Sequence, residues 1–204
     1  WSDGADNYTL DPSQWSDSDG DGYGDNPNGT DADDCPEEFG ISISDRLGCP
    51  DADGDGLSND FDDFPLDATR NFDNDSDGFD DDLDDFCPGV TGSSSEDRMG
   101  CPDSDGDGYS NPDGLWSVDD GADSFPTDSS QWDDQDNDGY GSNQEGVNPD
   151  SCPTIFGTST NDRLGCPDGD GDGWSDPDNG WIAASGADSF PADPTQWEDS
   201  DGDG

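Results

Sequence analysis

The sequence contains no histidine and no lysine, and its only side-chain cations are four arginines set against 56 acidic residues. Without histidine the chain loses the commonest general base and transition-metal ligand. Without lysine it loses the usual Schiff-base nucleophile. It is therefore not expected to be an enzyme. No basic patch is available to nucleic acid, and phosphate would be repelled. No apolar run approaches the ~20 residues of a membrane helix, and no signal peptide is visible. Glutamate is scarce too. Five of the acids are glutamate (37, 38, 96, 145, 198), which leaves 51 aspartates and a formal net charge of −52. A solvated acidic spacer would use glutamate freely; aspartate is shorter and suits turns and tight oxygen cages. Hydrophobic residues make up only 25% of the chain, while 29 glycines and 15 prolines break regular structure. A chain of this kind cannot bury enough apolar surface to fold on a hydrophobic core. Evenly placed cysteines and recurring aromatics still indicate order, so something else must supply the stability.

Internal similarity organises nearly the whole chain. The segment LDPSQWSDSDGDG (10–22) recurs as TDSSQWDDQDNDG (127–139) and ADPTQWEDSDGDG (192–204), with a weaker copy LDATRNFDNDSDG (66–78). Taking Trp15, Asn71, Trp132 and Trp197 as equivalent starts gives repeats at 15–70, 71–131 and 132–196. Residues 1–14 read as the tail of a truncated repeat and 197–204 as the start of another, as expected of a window on a longer array. Each repeat carries an Asp cluster leading to Asp-x-Cys-Pro, a second Cys-Pro 14 residues on, a second Asp cluster leading to Asp-x-Phe-Pro, and a spacer. The step from the last Asp of a second loop to the next cluster is always 11: Asp6 to Asp17, Asp62 to Asp73, Asp123 to Asp134, Asp188 to Asp199. Length varies only inside the Asp loops, which span 16, 12 and 16 residues for the first and 11, 20 and 20 for the second. The ends of each loop are thus expected to be fixed points and the middle to bulge outward.

Seven clusters fit D-x-[DN]-x-D-G or a close form. Positions 1, 3 and 5 are Asp17, Asp19 and Asp21; Asp51, Asp53 and Asp55; Asp73, Asp75 and Asp77; Asp103, Asp105 and Asp107; Asp134, Asp136 and Asp138; Asp168, Asp170 and Asp172; and Asp199, Asp201 and Asp203. A hard cation such as Ca²⁺ needs this spacing: three carboxylates converge, Gly at 6 allows the sharp turn, the carbonyl of 7 points inward, and oxygens near 9 and 12 complete a shell of roughly 6–8. The expected carbonyls are those of Tyr23, Leu57, Phe79, Tyr109, Tyr140 and Trp174; the position-9 ligands are Asp25, Asn59, Asp81, Asn111 and Asp176. The closing acids are Asp6, Asp33, Asp62, Asp85, Asp123, Asp150 and Asp188. Two positions depart from the pattern: Ser142 stands where a position-9 acid is expected, and Gly114 at position 12 displaces the closing acid to Asp123. Crowded carboxylates are costly only while the cation is missing; once it binds, its binding free energy becomes folding free energy. Mg²⁺ keeps its waters and fits all-protein cages poorly, and no zinc-type Cys/His arrangement exists. Flanking Cys-Pro, Phe-Pro and Gly break the helices an EF-hand requires, and there is no nine-residue β-roll period.

DSDGDGYGDN (17–26) followed by Asp-x-Cys-Pro (33–36) resembles the thrombospondin type 3 repeat, and CPGVTGSSSEDRMGCPDSDGDG (87–108) is similar to the versions in bacterial and archaeal surface proteins. The resemblance covers essentially the whole chain. It implies an irregular chain with little regular secondary structure, a linear tandem array of Ca²⁺-wrapped Asp loops pinned by disulfides. The first loops of repeats one and three are longer than the family's usual step.

The six cysteines form three pairs at one spacing, and the simplest of 15 connectivities is local: Cys35–Cys49, Cys87–Cys101 and Cys152–Cys166. Closing loops of this length is worth ~3 kcal/mol each in the chain-entropy model and suggests an oxidising, extracellular or cell-surface setting. The aromatics at position 7 and at Trp15, Trp132 and Trp197 are expected to pack locally between neighbouring ion loops. Three arginines lie in D-R-[LM]-G-C (Arg46, Arg98, Arg163) and are expected to fork onto carboxylates and fix the turn. Sequons at Asn7, Asn28 and Asn74 permit glycosylation. The expected function is a calcium-stabilised structural segment of an extracellular stalk or fibre. Its partners are calcium ions and neighbouring repeats, with lateral self-association into filaments open, and it binds neither nucleic acid nor membrane. The alternatives are a Ca²⁺-dependent adhesion module, with Trp116 and Trp181 exposed at the tips of inserted segments, or a passive calcium reservoir.

Overall fold

Regular secondary structure is almost absent. The computed structural model describes residues 6–202; Asp203, an expected ligand of the last cluster, lies outside them. The described residues contain no α-helix and no strand, only single 3-10 turns at Val118–Asp120 and Ala183–Ser185 and isolated bridges Gly24–Ala32 and Gly141–Pro149. Contacts group the chain into two units, 1–89 and 90–204.

In place of ladders, side-chain carboxylates satisfy the backbone. Asp51 accepts the N–H groups of Gly54 (2.7 Å) and Gly56 (3.0 Å), and Asp168 those of Gly171 (2.7 Å) and Gly173 (2.9 Å). The clusters at 17, 103 and 134 repeat this, while Asp73 accepts from Asp77 and Gly78. The position-5 carboxylate accepts the N–H of position 7, at 2.8 Å in Tyr23 and Leu57 and 3.0 Å in Phe79 and Tyr140. These are Asx turns in series. Position 6 is always glycine, with φ between 94° (Gly139, Gly173) and 105° (Gly56), which other residues rarely adopt. Position 4 sits nearer the left-handed minimum, where Ser76 and Asn137, both at φ 64°, substitute for glycine.

Loops of different length close on the same atoms. The N–H of the closing acid donates to the carbonyl of position 8: Asp33 to Gly24 (2.9 Å), Asp85 to Asp80 (2.9 Å), Asp123 to Ser110 (3.0 Å), Asp150 to Gly141 (2.9 Å) and Asp188 to Ser175 (3.0 Å). The residue after the closing acid of each second loop then donates to the first residue of the next repeat: Asn7 to Trp15, Asp63 to Asn71, Ser124 to Trp132 and Ser189 to Trp197, at 2.9–3.1 Å. Because this tie is backbone to backbone, Asn71 serves as well as tryptophan, and the eleven-residue step is held constant.

Cys35–Cys49 and Cys152–Cys166 are bonded with Cα atoms 5.0 Å apart. Cys87 and Cys101 are also disulfide-bonded, and no cysteine is free. Inside these loops Ser42, Ser94 and Ser159 are fully buried. Each hydroxyl donates to the carbonyl of the arginine four residues on and accepts the N–H of the second cysteine.

The interior is inverted relative to a globular core. Among the described residues, the buried apolar side chains are Cys49, Cys101, Cys166, Ala122 and Ala187, whereas six serines, two glutamines and six aspartates, Asp80 among them, are buried. Aromatic rings stack between neighbouring repeats, Tyr109 on Trp132 (centroids 5.2 Å apart, planes within 3°) and Trp174 on Trp197 (5.7 Å, 2°). Position 7 of these loops thus packs on the first residue of the next repeat. No helix of the described residues is long and apolar enough to cross a membrane.

Candidate cation sites

In the six Asp clusters from Asp17 to Asp172, positions 1, 3 and 5 turn inward while 2 and 4 are exposed; in the last cluster Asp199 is half-buried and Asp201 exposed. The ligand oxygens of Asp17, Asp19 and Asp21 lie within 4.8 Å of one another, as do those of the triplets at 51, 73, 103 and 134. Position-1 and position-5 carboxylates are partly occupied by the N–H groups that form the turn. Position 3 is different. One buried oxygen of Asp19, Asp53 and Asp170, and both of Asp105 and Asp136, have no hydrogen-bond partner.

The closing acids point to the same conclusion. Each uses Oδ1 to accept the N–H two residues on, as Asp33 does from Cys35 (2.7 Å), Asp62 from Phe64 (2.8 Å) and Asp123 from Phe125 (2.7 Å). Asp6, Asp85, Asp150 and Asp188 do likewise. The Oδ2 atoms of Asp33, Asp85, Asp123 and Asp188 are then left buried and unpartnered. Burial, with Asp103, Asp105 and Asp107 adding repulsion, pushes Asp123 up to about 6. Asp150 rises to about 6 by burial and by Asp134, Asp136 and Asp138. Asp33, Asp62, Asp85 and Asp188 shift upward for the same reasons, each facing the triplet that precedes it. The structure therefore brings every closing acid from Asp33 onward to its own triplet, including Asp123 and Asp188 across steps of 20.

The donor set fits a hard divalent cation. Buried carboxylate oxygens without partners cost several kcal/mol in an ordinary interior, and here they converge on common points with no protein cation among them. The four arginines pair elsewhere, with Asp60, Asp84, Asp113 and Asp178. The carbonyls of Tyr23, Leu57, Phe79, Tyr109, Tyr140 and Trp174, the expected position-7 ligands, accept no backbone hydrogen bond among the described residues. In the last cluster Asp199 accepts the N–H of Gly202 (2.8 Å); Asp201 follows it.

Position 9 has a second role that spacing did not reveal. Its side-chain oxygen accepts the N–H of position 2: Asp25 from Ser18 (3.0 Å), Asn59 from Ala52 (2.8 Å), Asp81 from Asn74 (3.1 Å), Asn111 from Ser104 (3.2 Å) and Asp176 from Gly169 (3.1 Å). Ser142 does the same for Gln135 (3.2 Å), so a hydroxyl suffices where an acid was expected.

Other residues were missed because their chemistry is ordinary. Gln14 and Gln131 are buried plugs in the 16-residue loops. Gln131 Nε2 donates to the carbonyls of Asn143 (3.0 Å) and Val147 (3.3 Å), and its Oε1 accepts the N–H of Asn143 (3.0 Å). In the short loop of repeat two the equivalent residue is Arg70, which pairs with Asp84. Gly48 and Gly165 bring the disulfide loops against the first cages: a Cβ there would lie 2.5 Å from Asp33 and 2.3 Å from Asp150.

Two expectations need correction. The D-R arginines do pair with carboxylates, but each through one guanidinium nitrogen rather than as a fork. Each reaches forward to one carboxylate of the next Asp loop, Arg46 to Asp60 (2.9 Å), Arg98 to Asp113 (2.9 Å) and Arg163 to Asp178 (2.7 Å). Trp116 and Trp181 are half-buried rather than exposed at loop tips, because their indole N–H groups donate to Asp97 and Asp162. The tip of the first insertion presents Leu115, 91% exposed, instead.

No protein-family model matches this chain, and no curated protein is significantly similar to it.

Proposed function

We propose that the chain is a calcium-loaded structural repeat segment, a stiff spacer in a stalk or fibre on or outside a cell. The observation that carries the reading is the set of buried, partnerless carboxylate oxygens at position 3 and at the closing acids, repeated loop after loop. Six such cages, five of them closed by the same backbone bond, point to structure rather than to a transient sensor. Calcium suits them because it accepts 6–8 oxygens in flexible geometry, including carbonyls. Disulfides in every repeat favour an oxidising compartment, and the resemblance to thrombospondin type 3 repeats agrees with both. Repeats of this kind stabilise one another mainly as nearest neighbours, while residual negative charge keeps segments apart.

A calcium titration followed by native mass spectrometry tests the reading, with circular dichroism and proteolysis before and after chelation. Stepwise uptake of several ions, with order and protease resistance lost in EDTA, is expected. Unchanged spectra and resistance in EDTA would overturn it.

A further inference from the structure

We propose that the cages at 103–123 and 168–188 are latched, retentive cation sites, closed by a tryptophan strap that the cage at 51–62 lacks; the proposal rests on the cation reading above. The strap is the insertion that lengthens these loops. Asp97, in the D-R pair of the disulfide loop, accepts the Ser110 N–H (2.9 Å), the Ser110 hydroxyl (2.6 Å) and the Trp116 indole N–H (3.2 Å). Asp162 does the same for Ser175 (2.9 and 2.6 Å) and Trp181 (3.3 Å). The Ser110 carbonyl in turn accepts the N–H of Asp123, and that of Ser175 the N–H of Asp188, both at 3.0 Å. One carboxylate outside the cage therefore positions the closing acid and holds the strap at once. Arg98 reinforces it, 5.7 Å from the Trp116 ring centroid and paired with Asp113, whose Oδ1 accepts the N–H groups of Leu115 (2.6 Å) and Trp116 (2.8 Å). Arg163 and Trp181 repeat the arrangement at 5.6 Å.

The closing acids under the strap are sealed. Asp123 is 0% and Asp188 1% exposed, and each aims a buried, unpartnered Oδ2 at its triplet. The cage at 51–62 is an internal control. Asp45 holds Ser58 through the same two bonds, at 2.8 and 2.5 Å, but no tryptophan follows and Arg46 pairs with an Asp60 whose side chain is 77% exposed. A cation leaves when its closing carboxylate swings away. In the strapped cages that motion must first break a charge-assisted indole bond and a cation–π contact; in the open cage it need not.

The full calcium-loaded chain is mixed with an excess of a fluorescent calcium chelator in a stopped-flow instrument. Wild type is expected to release calcium in a fast and a slow class. The W116F/W181F variant keeps the aromatic packing but removes both indole donors, and it should release the slow class about tenfold faster, the factor equivalent to about 1.4 kcal/mol. D45N should leave the slow class unchanged. A single class in wild type, or a slow class unaltered in W116F/W181F, overturns the latch. Absence of bound calcium by native mass spectrometry before mixing overturns the cation reading beneath it as well. Hydrogen exchange on the wild type needs no variant: peptides over 110–123 and 175–188 should exchange more slowly than one over 51–62, and equal exchange overturns the latch.

Discussion

Asp123 is fully buried, and one of its oxygens has no partner. Asp80, equally inaccessible, shows that this fold can satisfy a buried acid when it needs to: its carboxylate accepts the N–H groups of Asn71, Phe72, Asp82 and Leu83. The difference marks Asp123 as a residue kept for a ligand. Replacing it should have opposite effects in the two states of the protein. Asp123→Asn retains the Oδ1 that accepts from Phe125 and removes a buried charge, so the cation-free chain should melt higher. Calcium should bind one site about tenfold or more weakly, since ligand charge tunes such affinities. Melts with and without chelator, and a calorimetric titration, would show whether the signs differ; a loss of stability in both states would make the residue merely structural. The turn residues around it were readable from spacing. The serines were not, because Ser42 or Ser110 in a chain this polar carries no mark of burial until the fold places it.

Among the loops, length and closure are separate properties. Steps of 12, 16 and 20 residues all return to the carbonyl of position 8, and each length has its own filler. Gln14 and Gln131 plug the 16-residue form, Arg70 spans the 12-residue form, and the tryptophan strap covers the 20-residue form. Gln131→Ala should destabilise the second unit by about 2–3 kcal/mol, from buried backbone groups left unpaired, and speed exchange over 141–150. Gln196, exposed and bonded only locally to Asp193, supplies the control: its alanine variant should stay within about 0.5 kcal/mol. Equal effects would show that the plug has no special role. The fixed ends of the loops were legible in the repeat spacings. The fillers were not, since nothing local ties a glutamine to a loop 12 to 16 residues ahead.

The whole molecule carries −52 charges, and the apolar side chains buried among the described residues are only alanines and disulfide cysteines, so its stability is tied to protons and cations. Closing acids such as Asp123 and Asp150 are raised from 3.8 to about 6 in the cation-free fold. A carboxylate raised on folding favours the folded state below its unfolded value, and that contribution is lost as pH climbs through the folded one. The cation-free chain should therefore become less stable from about pH 4 to pH 6. The calcium-loaded chain should do the reverse, because its ligands must be deprotonated. Melting temperatures across that range, with calcium and with chelator, should cross; parallel curves would count against a cation-filled interior. Reduction should cost ~3 kcal/mol per disulfide loop, most visibly in the chelated state.

Local order was determined by the sequence itself: the irregular fold, the repeated turns, the disulfide spacing and the constant step between loops. The repeated turns follow from hydrogen bonds between residues two to five apart, such as Asp51 to Gly54 and Gly56, and the constant step from a backbone bond between residues eight apart, such as Asn7 to Trp15. The tertiary structure alone decided which ordinary residues act at a distance. It turned Trp116 inward to Asp97, 19 residues away, and joined Asp97 to Ser110, 13 away. It also assigned position 9 to the backbone. In a chain with 51 aspartates any one can pair with any donor, so the choice depends on where folding brings them, which spacing along the chain does not specify.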